Sequence, residues 1–226
     1  MRLLAAFFFK TFIMQRTYYF PNSPATSSTE RHNHIAYHEA GHVAAIYIRN
    51  RELQLPPVFF EINFNRNECA EYPFFAKIEG GRLIDNLPVA EIENTYLDFG
   101  VEKQSLQQAY EADVINLLAG PLAEAKFVAL RDDEVFNPQL VNIKALNNYG
   151  GHSDLEQAYA YLEYFISDAR ERELKVEYLF IRAFQFINQP KNWQCIEHFA
   201  RYILNNEQAN ISCEEASLVF DRVLEN

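Results

Sequence analysis

The most constraining feature of the sequence is IAYHEAGHVAAIYI, residues 35–48, in which two histidines and a glutamate interrupt a mostly apolar run. The pattern predicts a helix, and at about 3.6 residues per turn His38 and His42 lie on one face. Two imidazoles about 6 Å apart along the helix axis can share one metal ion. Burying polar groups is costly unless they have partners, and a metal satisfies both histidines. The run therefore predicts a metal site in a cleft beside this helix.

Glu39 completes an H-E-x-x-H motif with the two histidines. In such motifs the metal lowers the pKa of a bound water towards about 7, and the glutamate takes its proton. Glu39 is thus the candidate general base. Gly41 costs a helix interior about 1 kcal/mol relative to alanine, which indicates the close approach of another element. The alternative is a helix whose polar face shows this order by chance.

A catalytic zinc site needs a third protein ligand besides two histidines. His34 lies four residues before His38, but about 12 Å of helix rise separates it from His42, too far to share the ion. His32 and His34 are interpreted as solvated residues of the helix start. The residues alone leave four donors open: Glu124, His152, Asp154 and, less favoured, His198.

Composition excludes several classes of function. The 226 residues are 49% hydrophobic, enough for a substantial core, and the formal net charge of −11 argues against a nucleic-acid partner. No P-loop motif, G-x-x-x-x-G-K-[ST], occurs in the sequence, which predicts no ATP binding. The few, widely spaced cysteines form neither a disulfide framework nor a C-x-x-C site, which favours a reducing, cytoplasmic location.

Hydrophobic periodicity predicts a mostly α fold with a small β-sheet. A helix is expected over about residues 30–50. Strands are expected in PPVFFEINFN, residues 56–65, and FFAKIEGGRLI, residues 74–84, with Gly80-Gly81 as turn residues.

Beyond about Gln104 the chain is expected to be helical. The first stretch forms one helix or two, with Gly120-Pro121 at a kink or boundary. A helical stretch from His152 is too long to lack a break. Two further helices close the chain, the last with Ser212 as its N-cap.

The amino terminus is expected to be an extension and linker, residues 1–29, before one domain over residues 30–226. Its apolar run, residues 3–9, is far shorter than the roughly 20 residues that span a bilayer. Membrane association through residues 3–14 is therefore the weaker alternative to a cytoplasmic protein.

Three stretches together resemble the peptidase domain of the FtsH-type membrane AAA+ zinc metalloproteases. AYHEAGHVAA, residues 36–45, resembles that family's AYHEAGHA. LLAGPLAEA, residues 117–125, is similar to LLGGRAAEE, and GGHSDLEQA, residues 150–158, is similar to GAxNDLxxA. The motifs occur in the family's order, and the resemblance covers about residues 30–226.

The resemblance implies an FtsH-peptidase-like zincin helical domain that binds Zn²⁺ through His38, His42 and Asp154, with Glu39 as general base. Glu124 matches a glutamate near the family's metal, where orienting a ligand is the expected role. The plainer interpretations are an N-cap for Asp154 and a surface carboxylate for Glu124.

The sequence also departs from the family's pattern. Pro121 and Ala125 replace an arginine and a second glutamate, and Ser153 stands where asparagine is usual. The chain between the zinc motif and the third ligand is longer, which predicts an insertion at about residues 61–105. His152 is expected to be a solvated turn residue, with an oxyanion donor as the alternative.

The function implied is an ATP-independent zinc metalloendopeptidase that hydrolyses unfolded or flexible polypeptides, as a peptidase domain standing alone without the ATPase. An edge strand within residues 58–84 is expected to dock the extended substrate. The alternative is a catalytically degenerate relative that serves as a binding or adaptor module. No oligomeric state is implied.

Overall fold

A computed structural model describes residues 28–65, 75–83 and 101–225, and helix accounts for 73% of them. The helices are α1 (Ser28–Ala44), α2 (Val101–Arg131), α3 (His152–Phe165), α4 (Ala169–Asn188), α5 (Pro190–Asn205) and α6 (Cys213–Leu224). The strands are β1 (Phe60–Asn65), β2 (Phe75–Gly80) and β3 (Asn210–Ser212). A π-helical turn, Ala45–Arg49, and a short turn, Asn50–Glu52, extend α1, and a 3-10 helix, Ile143–Tyr149, precedes α3. The predicted mostly α fold with a small sheet is confirmed.

Helices α1 and α2 pack closely together in the centre of the core. A Cβ atom on Gly41 would lie 2.5 Å from the carbonyl oxygen of Ala119 and 2.5 Å from the Cβ of Ala123. Ala40 and Ala44 of α1 are also fully buried. Small residues therefore allow the two backbones to approach each other, as Gly41 predicted.

Helix α2 continues through Pro121 as one helix. The sequence had not decided between one helix and two in this stretch. Proline lacks an N–H, so the carbonyl of Leu117 loses its usual helical donor. The surrounding apolar residues hold the helix together, since Leu117, Leu118 and Leu122 are fully buried. Pro121 in turn packs against the turn before α3, because a Cβ atom on Gly151 would lie 2.8 Å from the Cβ of Pro121.

The sheet is antiparallel, with strand order β2-β1-β3. Ile62 of β1 pairs with Ile78 of β2 and with Ile211 of β3, and all three are fully buried. Gly80 ends β2 and Gly81 follows it, with φ of 78° and 77°, a region that favours glycine. Strand β3 was not predicted, because three residues carry no readable alternation.

The carboxy-terminal helices follow the predicted order. The break in the long helical stretch falls at residues 166–168, and Asp168 caps α4 by accepting a hydrogen bond from the backbone N–H of Glu171. Ser212 is the N-cap of α6, as predicted, and forms a reciprocal capping box with Glu215.

Most of the predicted extension over residues 1–29 lies outside the described residues, as does the possible tether over residues 3–14. Residues 66–74 and 84–100 of the predicted insertion also lie outside them, while β2 falls within it. None of the helices in the described ranges is long and apolar enough to cross a membrane.

Replacing Gly41 by alanine is expected to lower the free energy of unfolding by about 1–3 kcal/mol. Alanine favours a helix over glycine by about 1 kcal/mol, but the added methyl group meets a backbone carbonyl that cannot move aside. Urea denaturation measures the change. Gln194→Ala, on the exposed side of α5, serves as the control and should stay within about 0.5 kcal/mol. An unchanged or more stable Gly41→Ala protein would contradict the close approach.

Candidate metal centre

The structure brings His38 and His42 of α1 together with Asp154 of α3. One potential ligand atom from each lies within 4.8 Å of the others, and the side chains are at most 2% exposed. The Nε2 atom of His38 is 3.2 Å from Oδ2 of Asp154, and that of His42 is 3.5 Å from Oδ1. These three residues form a buried group that could hold a metal ion.

His38 is oriented by partners on its other ring nitrogen. Its Nδ1 lies 3.1 Å from Oε2 of Glu124 and 3.2 Å from the carbonyl oxygen of Tyr149. A carbonyl oxygen only accepts hydrogen bonds, so Nδ1 carries the proton. In the neutral ring the lone pair is then on Nε2, which faces Asp154.

His42 is oriented in the same way from α2. Its Nδ1 donates to the carbonyl oxygen of Asn116 over 2.7 Å, so in the neutral ring Nε2 carries the lone pair that could bind a metal. Gly120 makes room for the ring, because a Cβ atom there would lie 2.1 Å from Nε2 of His42. A glycine inside a helix is the sequence signal for this role, although Gly120-Pro121 predicted only a kink or boundary.

Asp154 reaches the group from the first turn of α3. Gly150, with φ of 68°, ends the 3-10 helix, and Gly151 is the N-cap of α3. A side chain on Gly151 would collide with the carbonyl oxygen of Leu146 at 2.7 Å. Asp154 is therefore not the N-cap, the plainer alternative for this residue, and its 1% exposure places it inside the fold.

The donor set is suited to a divalent metal ion. Two imidazole nitrogens and a carboxylate oxygen are the ligand types of catalytic zinc sites. With both Nδ1 atoms donating elsewhere, the atoms that converge are electron-rich, and a proton or a cation must lie between them. The ring centroids of His38 and His42 are 4.7 Å apart, so each ring can direct its Nε2 at the same point.

The pKa of His38 reflects the same requirement for positive charge. Burial lowers it, but hydrogen bonds and charge interactions with Asp154 and Glu124 outweigh burial and raise the pKa to about 10. In the metal-free fold a proton therefore supplies the charge that a bound metal would supply.

Glu124 and His34 differ from the plainer interpretations of the sequence. Glu124 is 2% exposed, so it is not a surface carboxylate, and it accepts from His38 as expected for a residue that orients a ligand. His34 was interpreted as solvated, which is wrong. Its side chain is 15% exposed, and its Nδ1 lies 2.8 Å from Oε1 of Glu124.

The remaining candidates lie in different surroundings. Glu39 is buried in α1 next to His38, with 1% exposure. The His152 side chain is 73% exposed, with Nδ1 3.4 Å from Oδ1 of Asn147 and Nε2 3.3 Å from Oε1 of Glu156, so it is solvated as predicted, but it is the first residue of α3 and not a residue of the preceding turn. His198 is exposed on α5 and is not part of the group.

Searches of protein-family models, curated proteins and solved structures find no match to this chain. The resemblance to the FtsH-type proteases thus rests on the three sequence motifs.

In the metal-free protein, the free energy of unfolding is expected to fall as the pH rises from 6.5 to 8. The pKa of His38 is about 10 in the fold against an ordinary value of 6.5, so the folded state binds more protons between these values. The stabilisation is complete below pH 6.5 and lost through pH 10, at up to about 1.4 kcal/mol per pH unit.

The pH range of this prediction ends at 8 because burial lowers the pKa of Lys126 to about 8. Above that pH the folded state loses a proton from Lys126 before the unfolded state does, which raises the free energy of unfolding with pH. Chemical denaturation in the presence of a chelator measures the slope. His38→Gln is the control and should flatten it. A wild-type protein whose stability is constant over this window would contradict the assigned charge on His38.

Proposed function

We propose that this chain is a zinc metalloendopeptidase related to the FtsH-type peptidase domains. The observation that supports it best is the convergence of His38, His42 and Asp154 on one buried point, with Glu39 beside His38 in the same helix. These are the residues that the first and third motifs imply, and Asp154 lies 112 residues beyond His42 in the sequence.

His38, His42 and Asp154 would hold the zinc ion, and Glu124 and the carbonyl of Asn116 keep the two imidazoles in the correct tautomer. Zinc in such a site polarises a substrate carbonyl and makes the attacking water more acidic. Glu39 would accept a proton from the attacking water and donate it to the leaving amine.

The proposed substrates are unfolded or flexible polypeptides. Strand β2 is at one edge of the sheet formed by the described residues, and an extended peptide can add to such an edge through main-chain hydrogen bonds. Since the sequence contains no P-loop, the proposed reaction draws no energy from ATP hydrolysis by this chain.

The burial of the candidate metal ligands favours one alternative. In it the chain is a catalytically degenerate relative that serves as a binding or adaptor module. A substrate must reach the metal, yet His38, Glu39, His42 and Asp154 are at most 2% exposed. A groove of about 550 Å³ instead opens elsewhere, between α2, α3 and α4, and apolar residues such as Leu106, Phe165 and Leu174 line it. In this alternative any bound metal stabilises the fold without catalysing a reaction.

Glu39→Gln is expected to abolish cleavage of an unfolded protein substrate and to leave zinc bound. The amide keeps the shape of the side chain but cannot accept the proton of the attacking water. Cleavage of a fluorescently labelled unfolded protein measures activity, and elemental mass spectrometry measures zinc in the same preparation.

Glu156→Gln provides the matched control, because Glu156 is an exposed glutamate of α3 whose side chain is 70% accessible. It should cleave and bind zinc as the wild type does. Persistent cleavage by Glu39→Gln would rule out the assigned base. A wild type that binds zinc but cleaves nothing would favour the binding module.

A further inference from the structure

A line of hydrogen bonds leads from the candidate metal centre to the edge of the α1–α2 interface. The Nδ1 of His38 bonds one carboxylate oxygen of Glu124 over 3.1 Å, and the Nδ1 of His34 bonds the other over 2.8 Å. His34 precedes His38 by one helical turn, so both rings meet α2 on the same face of α1. Glu124 therefore connects His34, which is too distant to bind the metal, with His38, which is a candidate metal ligand.

The contact with Arg131 shows which ring nitrogen of His34 donates a hydrogen bond and which accepts one. Its Nη1 lies 3.1 Å from Nε2 of His34, and a guanidinium only donates hydrogen bonds. Nε2 of His34 is therefore the acceptor, and Nδ1 carries the proton that is donated to Glu124. Arg131 is itself held by Glu30 and Asp132.

The surroundings also fix the position of the His34 ring. Glu124, Phe127 and Arg131 are spaced three and four residues apart, so they lie on one face of α2. The ring of Phe127 meets that of His34 edge-on, with centroids 5.8 Å apart and an angle of 83°. The ring of Tyr37 stacks on the ring of Phe127, with the two centroids 4.2 Å apart.

We propose that His34 is a positioning residue for the metal ligand His38 and acts through Glu124. A buried carboxylate with donors on both oxygens has less freedom to rotate than one held on a single side. Holding Glu124 keeps Oε2 on Nδ1 of His38, which directs the Nε2 lone pair towards Asp154 and the metal. This role depends on the proposed zinc site, and it explains why a third histidine follows the spacing of the motif without binding the ion.

The role of His34 is limited by a second partner of His38. The carbonyl oxygen of Tyr149 also lies 3.2 Å from Nδ1 of His38, so the tautomer survives if Glu124 moves. Loss of His34 is therefore expected to weaken zinc binding without abolishing it. Removing the orienting partner of a ligand typically costs about 10–100-fold in metal affinity, and the His34 effect should lie at the lower end.

The test is zinc affinity, measured by competition with a chromophoric chelator. His34→Leu is expected to raise the Kd for zinc about tenfold. In His34→Asn the side-chain amide nitrogen can take the place of Nδ1 and donate to Glu124, so the Kd should stay within about threefold of the wild type. His198→Leu removes an exposed histidine of α5 and should leave the Kd unchanged.

A double-mutant cycle separates positioning from general loss of structure. If His34 acts through Glu124, then His34→Leu should weaken binding no further in a Glu124→Ala background. Thermal unfolding of each metal-free variant monitors folding, and His34→Asn provides the comparison if His34→Leu unfolds.

The inference is overturned if His34→Leu binds zinc like the wild type, if His34→Asn is as weak as His34→Leu, or if the two losses add. A wild type that takes up no zinc would instead remove the proposed function. The two failures are therefore distinguishable.

Discussion

Two imidazole nitrogens and a carboxylate meet in the interior of this protein, and they need a positive charge between them. Electron-rich atoms this close together are costly in an apolar environment unless a proton or a metal ion joins them. In the metal-free protein the same electrostatics raise the pKa of His38, so a bound proton supplies the positive charge. Most of the surrounding structure can be understood as the means of holding these atoms in place.

The scaffold around the centre depends on close backbone contacts. Gly41 lets α1 approach α2, and Gly120 leaves space for the ring of His42. Gly151 lets the turn before α3 pack against Pro121. This packing places Asp154, in the first turn of α3, beside the two histidines. A larger side chain at any of these three positions would move one candidate ligand relative to the others, so the three glycines are part of the candidate metal centre.

The sequence predicted the helices and the pair of longer strands because these segments are long and periodic. The His38, Glu39 and His42 motif carried its own geometry, since residues four apart share a helix face. Asp154 could not be derived in this way, because it lies 112 residues beyond His42 and only the folded chain brings them together. The resemblance of GGHSDLEQA to a family motif supplied that residue, whereas the residues alone left Glu124, His152 and, less favoured, His198 open beside it.

The misinterpretation of His34 shows what local reasoning omits. Its distance from His42 along the helix correctly excluded it as a ligand, but its partner is on α2, 90 residues away. Strand β3 is a similar case, since only pairing with β1 makes its three residues a strand. Local chemistry at Gly120-Pro121 predicted a kink or a boundary and left one helix or two open, and the structure shows one continuous α2 with buried residues on both sides of Pro121.

The most direct measurement is the zinc content per chain of the purified wild type beside Asp154→Ala, by elemental mass spectrometry. Asp168→Ala, which removes an exposed aspartate that caps α4, serves as the matched control. If the group is a metal site, the wild type and Asp168→Ala should each hold one zinc ion per chain, and Asp154→Ala should show a marked loss. A wild type without zinc, or an Asp154→Ala protein that retains it fully, would contradict the assignment of this group as a metal site.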